Sequence, residues 1–264
     1  MPTAEGLRPH LDGTRLIVIC SPMNPTGTVI RRQQLEEICD LIIEENARRQ
    51  AEGKRLLYLI YDHVYYMLTF DGHTHLTPPQ VRPEMARYTL FSDAVSKCFA
   101  GTGLRVGWMV GPPHIVAKVK SLMTHMGAWG PRPEQLATSK LLRDPAAISR
   151  FLDGFKAQVK ERLDILYSTF SRLKAEGLPV DVIAPEGAMY LSVKFDFLGK
   201  PGFETINDIR AFLLEKADCA IIPFDCFGDT VNLGWMRFSV GAVGIDDVEA
   251  SMVKVEKALK SLDF

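Results

Sequence analysis

Val95-Ser96-Lys97-Cys98-Phe99-Ala100-Gly101-Thr102-Gly103-Leu104-Arg105-Val106-Gly107 sets a lysine and an arginine eight residues apart around a turn of small residues. A lysine amine captures an aldehyde only when it is partly desolvated, and an arginine across a glycine-rich turn presents a rigid fork to a phosphate. Lys97 and Arg105 therefore suit the two ends of a phosphorylated aldehyde cofactor such as pyridoxal phosphate (PLP). A lysine beside glycines is equally an ordinary solvated loop residue, so the segment gains meaning from its surroundings.

Two upstream stretches supply them. Leu16-Ile17-Val18-Ile19-Cys20 reads as a buried parallel strand and runs directly into Ser21-Pro22-Met23-Asn24-Pro25-Thr26-Gly27. Leu56-Leu57-Tyr58-Leu59-Ile60-Tyr61-Asp62 is a second apolar run, which ends on an acid and continues His63-Val64-Tyr65. Loops at the carboxyl ends of parallel strands are where α/β proteins place their ligands. Taken singly, Asp62 is also readable as a cap, Tyr65 and Tyr66 as core aromatics, and Asn24 as a turn residue before proline.

Together these motifs resemble the fold-type I PLP enzymes, in particular the class I/II aminotransferases related to aspartate aminotransferase. The resemblance covers nearly the whole chain. It rests on the Asn-Pro-Thr-Gly loop, the Asp-x-x-Tyr pair, the Ser-Lys loop with its arginine eight residues on, and the late Arg237-Phe238-Ser239 motif. It implies an α/β PLP-dependent transferase fold, with a large domain built on a mainly parallel sheet over residues 1–155 and a small α+β domain over 156–264.

The resemblance also implies roles. Lys97 matches the catalytic lysine that links covalently to the cofactor and then moves the proton at the substrate α-carbon. Arg105 matches a phosphate ligand. Asp62 matches the carboxylate that pairs with the pyridine nitrogen, and Tyr65 and Asn24 match the residues that hydrogen-bond the ring's phenolic oxygen. Arg237 matches the arginine that takes the substrate α-carboxylate as a bidentate pair, with Asn24 beside it. Arg132 lies in the region where dicarboxylate-specific members carry a second arginine, but its flanking prolines do not match that motif.

Two departures stand out. Ala94 occupies the position where the family usually has a serine donating to the phosphate, which leaves Ser92 and Ser96 as replacement candidates. The family pattern also implies a longer chain, with an arm and further large-domain strands ahead of the Asn-Pro-Thr-Gly loop. On that expectation this sequence corresponds to the carboxyl-terminal two thirds of an aminotransferase, and its sheet edge invites association.

Composition fits an ordinary globular enzyme: 264 residues, 47% hydrophobic, a net charge of −1 and no basic block pointing to nucleic acid. The five cysteines form no CxxC pair or zinc spacing and read as scattered reduced thiols, Cys98 as a packing residue. No run reaches the roughly 18 apolar residues of a membrane span, and the start lacks the basic and apolar regions of a signal peptide, so a cytoplasmic location is expected. His73-Thr74-His75 reads as part of a polar loop, with no third ligand at metal spacing and no metal expected.

Elsewhere the periodicity predicts a strand at 106–111, a helix from about His114 to Met126, another from near Glu134, and a long linking helix over 145–176. Strands at 188–195, 220–222 and 235–240 and helices at 206–216 and 246–262 follow. The polar stretch 44–54 reads as the surface extension of a helix. The implied activity is ping-pong transamination between an L-amino acid, by default aspartate, and a 2-oxo acid such as 2-oxoglutarate, in a homodimer. A PLP-dependent carbon–sulfur lyase, an inactive truncated homologue that only folds and dimerises, and the effector domain of a transcription regulator remain as alternatives.

Overall fold

In the computed structural model, which describes residues 1–231 and 233–262, the chain divides into two units. One comprises Met1–Pro22 and Val29–Leu152, the other Met23–Thr28 and the residues from Asp153 onward. The loop 23–28 thus leaves its sequence neighbours and clusters with the carboxyl-terminal unit.

The first unit opens with a helical turn, Ala4–Leu7 (α1), capped by Thr3, whose Oγ1 accepts from Gly6 N at 3.1 Å. Leu16–Cys20 (β1), Arg32–Ala51 (α2) and Tyr58–Asp62 (β2) then form a strand–helix–strand unit, followed by Pro78–Val81 (α3), Thr89–Ala94 (β3) and Gly107–Val110 (β4). The sheet order is β1-β2-β3-β4, with the first three strands parallel and β4 antiparallel to β3. Pro113–Met126 (α4), Arg132–Leu141 (α5) and the first turns of Pro145–Ala175 (α6) complete it. Helix α5 starts two residues before the expected Glu134, because Pro133 is tolerated in a first turn, where no backbone N–H is needed.

Alternation decides which face of the sheet is buried. Ile17, Ile19, Leu59 and Tyr61 pack against Leu35, Ile38, Cys39 and Ile42 of α2 in one core cluster. The opposite face of β1 is open, with Leu16 44% and Val18 65% exposed, so the uniformly apolar run is not the fully buried strand that its composition predicts.

The polar stretch at the end of α2 extends the helix to Ala51 with most of its residues exposed, as expected, but three of its polar side chains turn inward. Glu45, Asn46 and Arg49 are buried. Asn46 closes a two-way hydrogen bond with the backbone of Leu57, at 2.9 and 2.7 Å. Arg49 reaches the carbonyls of Leu11 and Thr14, both at 2.7 Å, and pairs with Glu45 at 2.6 Å. Buried polar groups hold only when satisfied, and these partners all come from outside the helix or from its next turn.

The second unit continues α6, whose Val159, Leu163, Leu166, Phe170 and Leu173 are buried at the helical spacing read from sequence. Phe170 meets Phe195 and Phe238 edge-on, with centroids 6.1 and 5.2 Å apart. Val180–Val182 (β5), Tyr190–Phe195 (β6), Ile206–Ala217 (α7), Ile222–Pro223 (β7), Trp235–Ser239 (β8) and Ile245–Lys260 (α8) follow. This sheet is antiparallel throughout, in the order β5-β6-β8-β7. Strand β7 falls at 222–223 rather than 220–222, since Cys219 and Ile221 turn into the core ahead of it. No helix among the described residues is long and apolar enough to cross a membrane.

Candidate functional site

In the first unit, the residues singled out from sequence gather at the carboxyl ends of β2 and β3. Asp62 is the last residue of β2; its Oδ1 accepts from Val64 N at 3.2 Å and its carbonyl accepts from Ser21 N at 3.1 Å. Tyr65, three residues past the end of β2, is buried at 3% exposure. Lys97 is half-buried in the turn after β3, where Ala100 N donates to its carbonyl at 3.1 Å. Cys98, fully buried, points its Sγ at the carbonyl of Val64 at 3.0 Å and so ties the lysine turn to the Asp62–Tyr65 turn.

The glycine-rich loop is held in an unusual conformation. Ala100 and Arg105 both adopt left-handed backbone angles, φ 50° and 54°, which non-glycine residues avoid without a surrounding constraint. Thr102 supplies part of it: its Oγ1 donates to the Ser96 carbonyl at 2.9 Å, and its own carbonyl accepts from Arg105 Nη1 at 3.0 Å. The other guanidinium N–H groups of Arg105 have no acceptor among the described residues, and the side chain lines a cleft of about 960 Å³. Ser92, Asp93 and Ala94 line the same cleft, whereas Lys97, Asp62 and Tyr65 do not.

In the second unit, Arg237 on β8 donates from Nη1 to Oδ1 of Asn24 at 2.7 Å. Its guanidinium carbon lies over the rings of Tyr190 and Phe227, 4.6 and 4.9 Å from their centroids. Nε is buried without a hydrogen-bond partner, and no carboxylate pairs with this arginine among the described residues. The Asn24 loop is stapled to the sheet: Gly27 carbonyl accepts from the backbone N–H of Glu186 and Gly187 at 2.9 and 3.0 Å, and Ser192 Oγ donates to the Thr26 carbonyl at 3.0 Å.

Sequence reasoning left out Tyr190 and Phe227. Tyr190 stands two residues from Ser192, the register partner of Arg237, and so shares its sheet face, which is readable only once the β6–β8 pairing is known. The histidine at 75 also departs from its polar-loop reading: its ring packs among Tyr61, His63 and Tyr66, at centroid distances of 5.6, 5.6 and 6.0 Å.

A family model for aminotransferase class I and II matches residues 2–253. Among curated relatives, the bifunctional aspartate aminotransferase and glutamate/aspartate-prephenate aminotransferase of Petunia hybrida is 30% identical, over 94% of this chain and 50% of its own. The aspartate aminotransferase of Pinus pinaster is 32% identical over 94% of this chain and 48% of its own. Among solved structures, the aromatic aminotransferase from Pyrococcus horikoshii OT3 superposes with a TM-score of 0.84 at 26% identity, covering 98% of this chain and 64% of that one. The chain spans about half the length of these curated relatives. With the match running through nearly all of its residues, the chain belongs to the aminotransferase class I and II family.

Proposed function

We propose that the protein is a PLP-dependent aminotransferase that moves an amino group between an L-amino acid and a 2-oxo acid in two half-reactions. The observation that carries this reading is Arg237, an arginine oriented by Asn24, flanked by two aromatic faces and left without a protein carboxylate among the described residues. That is what a site for a substrate carboxylate requires, since a guanidinium edge grips a carboxylate in a bidentate pair.

The donor set of the first unit fits the cofactor: an amine at Lys97, a carboxylate at Asp62, a phenol at Tyr65, and a guanidinium at Arg105 with N–H groups that have no acceptor among the described residues. When bound, PLP supplies an electron sink for the charge that develops at the substrate α-carbon. On this reading Asp62 would keep the pyridine nitrogen protonated, Tyr65 and Asn24 would hydrogen-bond the phenolic oxygen, and Arg105 would take the phosphate, with Ser96 or Ser92 in place of the hydroxyl that Ala94 lacks. Lys97 Nζ moves the α-proton, while Arg237 and Asn24 fix the carboxylate. Such positioning accounts for roughly 7–11 kcal/mol of a barrier.

Aspartate with 2-oxoglutarate is the default pair; the names of the plant relatives support its aspartate half. A cytoplasmic homodimer is part of the proposal; the exposed Val18, Met126, Trp129 and Leu136 support association. The test is incubation with PLP, borohydride reduction and peptide mapping. Stoichiometric labelling of Lys97, lost in Lys97→Ala, is expected, followed by new amino acid formation on screening donors. Scattered or absent labelling overturns the reading, and pyruvate with sulfide as products would replace transamination by a lyase reaction.

A further inference from the structure

The first unit also holds a cluster of buried titratable groups that the proposed transamination does not use. His63 follows Asp62 at the end of β2, and its Nε2 lies 4.0 Å from Oδ2 of Asp93, with the two side chains 17% and 5% exposed. The His63 ring stacks on Tyr66 at 5.0 Å and lies against Phe91 at 5.1 Å and His75 at 5.6 Å. His63 Nδ1 and both ring nitrogens of His75 are buried with no hydrogen-bond partner.

The sheet fixes this arrangement. Asp62 pairs with Ser92 across β2 and β3, and His63 N donates to the Ser92 carbonyl at 3.1 Å, so His63 and Asp93 sit one step beyond that pair. Asp93 Oδ1 accepts from Ala94 N at 2.7 Å, which leaves Oδ2 toward His63. No lysine or arginine pairs with this buried carboxylate among the described residues, and its nearest basic group is His63. Burial raises Asp93 to about 6 and lowers His63. The other titratable groups that face the pair are Asp62 from β2, Tyr66 and Cys98 from the two adjoining turns, and His75 from the loop before α3. Arg105 and Arg143 line the cleft that Asp93 also lines.

We propose that His63 and Asp93 form an electrostatically coupled positioning pair whose charge acts on Asp62 and Lys97, so that Asp93 tunes the protonation of the groups these two residues hold. The inference rests on the reading of Asp62 and Lys97 as cofactor residues. A negative charge at Asp93 favours protonated neighbours, and through a partly desolvated interior its effect extends over several ångströms.

The experiment compares the wild type with Asp93→Asn and Asp93→Glu after loading with PLP, following absorbance against pH. The midpoint is expected to fall by about one pH unit in Asp93→Asn and to be restored in Asp93→Glu. An unchanged midpoint, with or without a lower thermal midpoint, overturns the proposal and leaves Asp93 a packing residue. A wild type that takes up no PLP removes the functional reading instead. The pair is then read in ligand-free protein by NMR of ¹⁵N-labelled histidines, where the His63 midpoint is expected to fall by about one pH unit in Asp93→Asn. A His63 titration indifferent to Asp93 overturns the pair itself.

Discussion

Arg237 Nη1 donates to Asn24 Oδ1 at 2.7 Å although 213 residues of chain separate the two. This bond commits one terminal nitrogen of the guanidinium and leaves Nε without a hydrogen-bond partner among the described residues, while Tyr190 and Phe227 restrict the plane of the fork. On the proposed carboxylate role, removing the arginine deletes a charge pair with substrate, so Arg237→Ala is expected to lower kcat/KM for the amino donor about 10²- to 10³-fold. Arg237→Lys keeps the charge without the fork and should still lose more than about tenfold. Asn24→Ala should cost roughly tenfold, as one hydrogen bond to a charged group. Steady-state kinetics at several donor concentrations reads all three, and a wild-type KM in Arg237→Ala would remove the carboxylate role.

Gly27 sits at φ 71°, and a Cβ there would stand 2.3 Å from the Tyr190 carbonyl oxygen. The neighbour is backbone of a central strand and cannot move aside. Gly27→Ala therefore combines left-handed strain with a steric clash, and a loss of at least about 2–3 kcal/mol of stability is expected. Urea unfolding monitored by far-UV circular dichroism checks it; a midpoint within error of the wild type would mean that the loop 23–28 is not packed on β6.

Asn46 is fully buried, and among the described residues its side chain bonds only the N–H and carbonyl of Leu57. Asn46→Ala strands both backbone groups in the core, a cost of about 2–4 kcal/mol. Asn46→Asp is expected to be worse, because a carboxylate then faces the Leu57 carbonyl in place of a donor. The order wild type, Ala, Asp in decreasing urea midpoint is the prediction, and an aspartate variant as stable as the wild type contradicts it.

The contrast between these sites shows what a sequence discloses. Apolar runs at 16–20 and 58–62 and the Phe151–Leu173 periodicity carried strand and helix identity, because burial of one face is a local pattern. Strand β3, half polar in Thr89-Leu90-Phe91-Ser92-Asp93-Ala94, and the three-residue β5 gave no such pattern. The candidate site residues were legible through motifs whose chemistry is bound to residue type. Glu45, Asn46, Arg49, His75 and Asp93 were not, since a polar residue goes inside only when a distant partner or ring receives it, and that partner is a property of the fold.

Acid stability follows from two of those residues with opposite signs. Burial lowers His75 to about 4 from the ordinary 6.5, so the unfolded chain takes up that proton first, and stability is lost as pH falls from 6.5 to 4. Burial raises Asp93 to about 6 from the ordinary 3.8, so here the folded chain takes up the proton first, and stability is gained as pH falls from 6 to 3.8. Each change is worth roughly 3 kcal/mol at full extent, and the two windows overlap closely enough to offset each other. In urea unfolding at a series of pH values from 6.5 to 4, His75 and Asp93 together are thus expected to contribute little net slope in the wild type, and His63, which burial also lowers, adds a loss as the pH falls. His75→Phe removes the loss and should make the protein relatively more stable as the solution is acidified. Asp93→Asn removes the gain and should steepen the acid decline. Parallel stability curves for the wild type and both variants would mean that neither group changes its proton affinity on folding.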